Sequence, residues 1–322
     1  VMIWMLLSSI LILNSGLDFK EDDLLVMFWN LENFFDWKDQ GTGESDKDFS
    51  SYGSRHWTSR KFYAKCDVVS KVIFNIACKQ GRLPDVIGFA EIENRGVLSK
   101  LIASTLLRKC DYRIVHFDSG DRRGIDVAFL YRESEFDLLT ISRKVPEIDN
   151  LRIPTRDMLH IALKHKNRGM EVDFIVCHHP SKFGGEEESR IKRSAAMNAL
   201  KEMCDSLKGC RIVAMGDFND NPRAAQFDIL KDVLINKADS LHMLRKGTIR
   251  YEGKWELIDM FLVSSSLSDA SRMEIIELPF LMARESRHSG FKPFRTYSGP
   301  RYIGGVSDHL PIILNLDLRK IH

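Results

Sequence analysis

Apolar and polar positions along the chain follow two different periods. Short apolar runs recur at LLVMFWN (24–30), DVIGFAEI (85–92), RIVHF (113–117), DVAFLYR (126–132) and MLHIALKH (158–165). More follow at EVDFIVCHH (171–179), RIVAMGDF (211–218), LIDMFLVS (257–264) and PIILNLDL (311–318). Their length and flanking turn residues predict buried strands rather than helices. Between them, residues 59–79 place Phe62, Cys66, Val69, Ile73 and Ile76 at alternating spacings of four and three. That stripe predicts a helix with one apolar face, ended by Gly81. A second helix is predicted over about 188–207, with Glu186, Glu187 and Glu188 toward its positive N-terminal end.

Strands interleaved with helices read as an α/β protein. No repeat, low-complexity tract or Pro/Ser-rich linker divides the 322 residues, so one domain is the simplest account. Two long polar loops, 38–56 and 282–305, are of the kind that carries function in a compact domain. Residues 2–13 are apolar-dominated and pass into Asn14, Ser15 and Gly16. The run is too short for a bilayer but suits a signal-peptide core, although a basic leading segment and a clean cleavage site are missing. Residues 1–16 are therefore expected to be a signal peptide, truncated or alternatively started, with a buried N-terminal segment as the alternative. Export follows, with no stable membrane span in the mature chain.

Composition adds little. At 44% hydrophobic and 29% charged residues, the chain is that of a folded protein rather than a disordered one. A formal net charge of +2 is too mild to mark a nucleic-acid binder. Six cysteines without C-x-x-C spacing exclude a disulfide scaffold and a zinc knuckle. Cys177 reads as a core residue, and Cys204 and Cys210 are near enough to pair in an oxidising compartment.

The strand ends change the picture. VMFWNLEN offers Asn30 and Glu32, VIGFAEIEN offers Glu91 and Glu93, FIVCHHPSKFGG offers His178 and His179, and VAMGDFND offers Asp217 and Asn219. Near the C-terminus, Asp259 lies inside an apolar run and Asp308 and His309 precede the last strand. Singly, such residues are usually turn formers or satisfied polar groups. Asp259 among Leu257, Ile258, Met260 and Phe261 needs a partner if buried. Together they make a set rich in oxygen donors at strand ends, where α/β sheets bind ligands. Such donors suit Mg²⁺, Mn²⁺ or Ca²⁺ rather than a zinc–thiolate centre.

The ordered set NLEN, AEIEN, HHPS, GDFN, LIDMFLVS and SDHLP resembles the endonuclease/exonuclease/phosphatase superfamily of DNase I-like hydrolases, from about residue 24 to 318. GTIRYEGKWELIDMFLVS and PFRTYSGPRYIGGVSDHLP further resemble a Bacteroidetes-type branch. The resemblance implies a four-layer α/β sandwich, two packed mixed β-sheets flanked by helices, with residues 17–322 as the catalytic domain. It implies metal-assisted phosphoester hydrolysis, with Glu91 as principal metal ligand and Asn30, Asp308 and Glu32 completing the site around Mg²⁺, Mn²⁺ or Ca²⁺. His309 would pair with Asp259, either activating water or stabilising phosphate charge. Asp217 would orient the water or protonate the leaving oxygen, Asn219 would donate to a phosphate oxygen, and His178 would contact the phosphate or assist departure.

Arg295, Ser181 and Lys182 would bind substrate, with Arg190 and Arg193 as further candidates. Glu93 would brace the loop after Glu91, and His179 would be wall rather than catalyst. The expected substrate is extracellular nucleic acid, with no obligate protein partner. A phosphatase or phosphodiesterase acting on a small or lipid phosphoester, such as an inositol phosphate, is the alternative. A non-catalytic phosphate-binding module is another, against which the unbroken motif set argues.

Overall fold

Strand β1 (Asp23–Phe34) is apolar from Leu24 to Trp29 because both of its faces are covered. Leu24, Val26 and Phe28 enter one hydrophobic cluster, and Leu25, Met27, Trp29 and Leu31 enter another. Alternation across a pleated strand thus feeds two separate cores.

A computed structural model describes residues 23–41, 43–181 and 185–321. The expected signal peptide and Lys182 lie outside the described residues. After β1 come β2 (Val86–Ile92), β3 (Tyr112–His116), β4 (Asp126–Arg132), β5 (Phe136–Lys144) and β6 (Met158–His165). Then follow β7 (Glu171–His178), β8 (Ile212–Asp217), β9 (Ile235–Asn236), β10 (Asp259–Val263), β11 (Ser271–Ile275) and β12 (Ile312–Asp317). The helices of most weight are α1 (Ser59–Gln80), α2 (Arg95–Ser104) and α3 (Glu186–Ser206).

One six-stranded sheet has the order β11-β12-β1-β2-β4-β3, and the other β9-β10-β8-β7-β6-β5. Each is mixed, with one central parallel pair, β1–β2 in the first and β7–β8 in the second. The inter-sheet core joins Phe28 and Phe129 to Phe174 and Met215. The sheets pack closely at Gly88, where an added Cβ would lie 2.6 Å from Met215 Sδ. Truncating Phe28, fully buried there, should cost about 3–5 kcal/mol.

The outer layers are helical. All five stripe residues of α1 are buried against the first sheet, and Gly81 ends the helix in the left-handed conformation, φ 75°. Helix α3 places Ala196, Met197, Leu200 and Met203 in the cluster that contains the second sheet. The four-layer α/β sandwich anticipated above is the observed architecture.

Three strands of the six-stranded sheets, the four two-stranded ribbons among the described residues and α2 were not anticipated. Strand β5 is an exposed edge with only Phe136 buried, so burial imposes no clean alternation on it. Strands β9 and β11 are short. Helix α2 is announced by Asn94, whose side chain accepts from the Val97 amide, an N-cap. Cys204 and Cys210 do not pair: both thiols are free, Cys204 facing the core and Cys210 the surface. Among the described residues no helix is long and apolar enough to cross a membrane.

Candidate active site

The carboxyl ends of the two parallel pairs deliver Asn30, Glu91, His178 and Asp217. These ends depart from regular strand geometry. The β2–β4 register shifts between Ala90 and Ile92, and Glu91 between them has φ 62°. Such a bulge re-aims the side chain. Glu32 and Asn219 also adopt the left-handed region, φ 44° and 51°, at a cost of about 1–2 kcal/mol each for residues with a Cβ. Hydrogen bonds hold these positions: Asn33 N donates to Glu91 Oε2 (2.7 Å), Glu32 N to Asn30 Oδ1 (2.9 Å) and Asn219 N to Asp217 Oδ1 (2.9 Å). Gly216 packs beside the β7 backbone, where a Cβ would collide with the Cys177 carbonyl.

Asn30 links the two sheets, its Nδ2 donating to Asp217 Oδ2 at 3.1 Å. His178 Nε2 lies 3.6 Å from Asp217 Oδ2 and 4.0 Å from Glu91 Oε1. The loop ahead of β12 brings in His309, whose Nδ1 is 2.8 Å from Asp259 Oδ2 and whose Nε2 is 3.8 Å from Asp217 Oδ2. Ser307 fixes this loop, donating to the Asn30 carbonyl and accepting from His309 N. Trp29 Nε1 donates to the His309 carbonyl.

Asp308 is half-exposed, and Arg295 bridges it to Glu32 at 3.2 and 3.1 Å. Thr296 N donates to Glu32 Oε2 at 2.7 Å. The buried Lys65 ammonium donates to the Glu32 carbonyl and to Thr296. Arg123 pairs with Glu91 at 3.1 Å.

Charge follows from these contacts. Burial opposes ionisation of Glu91, but the Arg123 guanidinium and the Asn33 amide outweigh it and hold the carboxyl below its usual range. Burial, aided by repulsion from Asp308, pushes Glu32 up to about 7. Burial and then the Asp259 carboxylate push Asp217 up to about 7. Burial disfavours the charged His309 ring, yet Asp259 first, with Asp217 and Asp308, raises its affinity for a proton well above normal. Burial and the nearby Arg156 and Arg123 keep His178 neutral.

Nearly all the expected residues thus enter one network. Asn219 enters with its amide engaged, Nδ2 donating to the His179 carbonyl at 2.9 Å. His179 is buried edge-on against Phe218, the wall expected of it. Glu93 accepts from Asp36 N, so it braces the loop after β1 rather than the one after Glu91. Among the described residues Ser181 makes no hydrogen bond to the network. Arg190 pairs with Glu187 on an exposed helix face, and Arg193 stands 3.7 Å from Asp220. Sequence reading missed Arg123, Arg156, Lys65 and Ser307. Arg123 had a signal, the GDRRG turn just before an apolar strand.

Asp217, Asp259 and His309 place one donor atom each within 4.8 Å of one another. Glu32, Glu91 and Asp308 are not so tightly grouped among the described residues. Their chemistry nonetheless fits a hard cation that keeps several waters: they offer oxygens only, and Glu32 and Asp308 repel each other.

A family model described as Endonuclease/Exonuclease/phosphatase family matches residues 25–318. No curated protein sequence matches. An endonuclease/exonuclease/phosphatase family protein from Bacteroides thetaiotaomicron superposes with a TM-score of 0.59 at 17% identity, covering 91% of this chain and 97% of its own. The mannosyl-6-phosphatase of the same organism gives 0.58 at 16%, covering 90% and 98%. The human Nocturnin catalytic domain with bound sulfate gives 0.55 at 14%, covering 91% and 94%. Fold and strand-end constellation together define a DNase I-like phosphoester hydrolase. The chain belongs to the endonuclease/exonuclease/phosphatase family, whose members are metal-dependent hydrolases of phosphoesters.

Proposed function

We propose that the protein is an exported nuclease that hydrolyses nucleic-acid phosphodiesters. The observation that carries the reading is His309, bonded through Nδ1 to Asp259 and presenting Nε2 toward Asp217. Asp259 fixes the tautomer and favours an imidazolium. A positively charged His309 would stabilise charge on the phosphoryl oxygens. Asp217, titrating near 7, would take a proton from the attacking water or return one to the leaving oxygen. Neutral His178 would hydrogen-bond the phosphate, and the second N–H of the Asn219 amide would do the same. Glu91, with Glu32, Asp308 and Asn30, would hold Mg²⁺, which supplies polarisation of a phosphoryl oxygen. Arg295 would leave one carboxylate partner to meet substrate. Export rests on the apolar run 2–13.

A second reading is a phosphatase acting on a small phosphomonoester. The likeness to a mannosyl-6-phosphatase and the depth of His178 and Asp217, both buried, favour it.

The test is hydrolysis by the full chain of plasmid DNA, single-stranded RNA, bis(p-nitrophenyl) phosphate, mannose 6-phosphate and inositol phosphates. Reactions contain Mg²⁺, Mn²⁺, Ca²⁺ or EDTA, with His309→Ala alongside. Metal-dependent plasmid cleavage lost in the variant is the expected result. Free phosphate released from the sugar or inositol esters, with DNA intact, replaces the nuclease by the phosphatase.

A further inference from the structure

Beside Glu32 lies a cleft of about 260 Å³ that neither His309 nor Asp217 lines. Its walls include Glu32, Asn33, Phe49, Arg55, Arg295 and Tyr297. The loop that supplies Phe49 and Arg55 is built rather than loose. Asp46 accepts from the amides of Gln40 and Gly41 at 2.9 and 2.6 Å. Phe35 stacks on Phe49 at 4.9 Å, and Trp57 Nε1 donates to the Phe35 carbonyl at 2.7 Å.

Arg55 is fixed on that loop. Its guanidinium lies 5.7 Å from the Phe49 ring and 5.4 Å from the Tyr297 ring. It donates to the Gly299 carbonyl, while Tyr297 Oη donates to the Arg55 carbonyl at 2.8 Å. No carboxylate among the described residues pairs with it. A guanidinium carries five N–H donors, and one carbonyl leaves most of them unspent. The only acid lining the cleft, Glu32, is engaged by Arg295 and the Thr296 amide. Lys61 adds positive charge nearby, its ammonium 4.7 Å from the Tyr302 ring and bonded only to backbone carbonyls.

A planar base is a poor occupant. Phe49 and Tyr297 are only 9% and 5% exposed, and Arg55 already covers their faces, so no free ring remains to stack on. An anion with several oxygens matches the unspent fork, and a side chain already held by two rings loses little entropy on binding it. We infer that this cleft binds a second phosphate of the substrate, separate from the one that is cut, with Arg55 as its principal ligand. The inference rests on the hydrolase reading above and narrows it to substrates bearing two phosphates, such as a nucleic-acid strand.

The experiment compares thymidylyl-thymidine with and without a terminal phosphate, at the 5′ and the 3′ end in separate arms. Binding is measured to the full chain carrying His309→Ala, which leaves the ligand intact. One terminally phosphorylated form should bind about tenfold tighter than the unphosphorylated dinucleotide, the worth of one charge-assisted contact. Adding Arg55→Ala should abolish that preference, and Arg55→Gln, which keeps the stem packed on the rings, should do the same. Equal affinity for all three dinucleotides, or a preference that persists in either folded Arg55 variant, overturns the inference. Hydrolysis of bis(p-nitrophenyl) phosphate by the unmutated chain reports on the hydrolase reading alone. Its absence with every metal, together with no phosphate released from mannose 6-phosphate or the inositol phosphates, would sink that reading without touching the binding result.

Discussion

The two parallel strand pairs end on opposite electrostatic footings. At the β1–β2 ends carboxylates meet guanidinia: Arg123 takes Glu91, and Arg295 spans Glu32 and Asp308. At the β7–β8 ends no guanidinium pairs with Asp217; its neighbours are Asn30, His178 and His309. Both ends are buried, and burial alone would neutralise acids at each. The outcome differs because an arginine cannot give up its proton, whereas an imidazole can. Glu91 therefore stays charged, and Asp217 and His309 hold protons that can move. On the function proposed above, the first end would hold the cation and the second would carry proton transfer. Glu32 stands between these cases, pushed up by burial and Asp308 despite its arginine.

The sharpest way to break this comparison is at His309. His309→Ala or Asp217→Ala should lower turnover by at least ~10²-fold, while the metal concentration giving half-maximal rate stays put. A shifted metal requirement would place those residues on the cation side. Next comes Glu91→Gln, expected to raise the metal requirement by about 10- to 100-fold, with activity recovering as metal is added. A loss that no metal concentration restores would deny the two ends their separate duties.

The smallest effect concerns stability. Asp217 titrates at about 7 in the fold against 3.8 ordinarily, so the native state binds its proton more tightly than the unfolded chain. Its contribution is present in full at low pH and is lost as pH rises toward 7. Asp217→Asn should therefore melt higher than the unmutated protein at pH 8, by on the order of a few degrees, and lose that advantage near pH 4. Melting curves in EDTA at the two pH values check it; an equal difference at both would show that the carboxyl is not the source.

The sequence made most of this legible where one rule operated alone. Apolar runs that stop at a polar residue located Asn30, Glu91, His178 and Asp217, because burial ends where the sheet ends. The stripe from Phe62 to Ile76 located α1 for the same reason. What stayed hidden was set by tertiary contact. Strand β5 carries Leu138, Leu139 and Ile141 on an exposed edge, so its pattern had no buried face to report. Lys65 lies on the buried face of α1, three residues after Phe62 and four before Val69, but its residue type reads as surface. Its contacts with the Glu32 carbonyl, 33 residues away in sequence, and with Thr296 explain its burial. Arg55 arises in a polar loop with no period at all.

One pairing has a consequence for the order of events in the cell. Strand β12 lies beside β1, with Ile312 opposite Phe28 and Asp317 opposite Asp23, and His309 reaches the site on the turn that leads into it. The start of the domain therefore waits for nearly its last residues before its sheet can close. Contacts of such long sequence separation form late and slowly. On the function proposed above, a chain lacking β12 and the turn before it would lack the imidazole that completes the site.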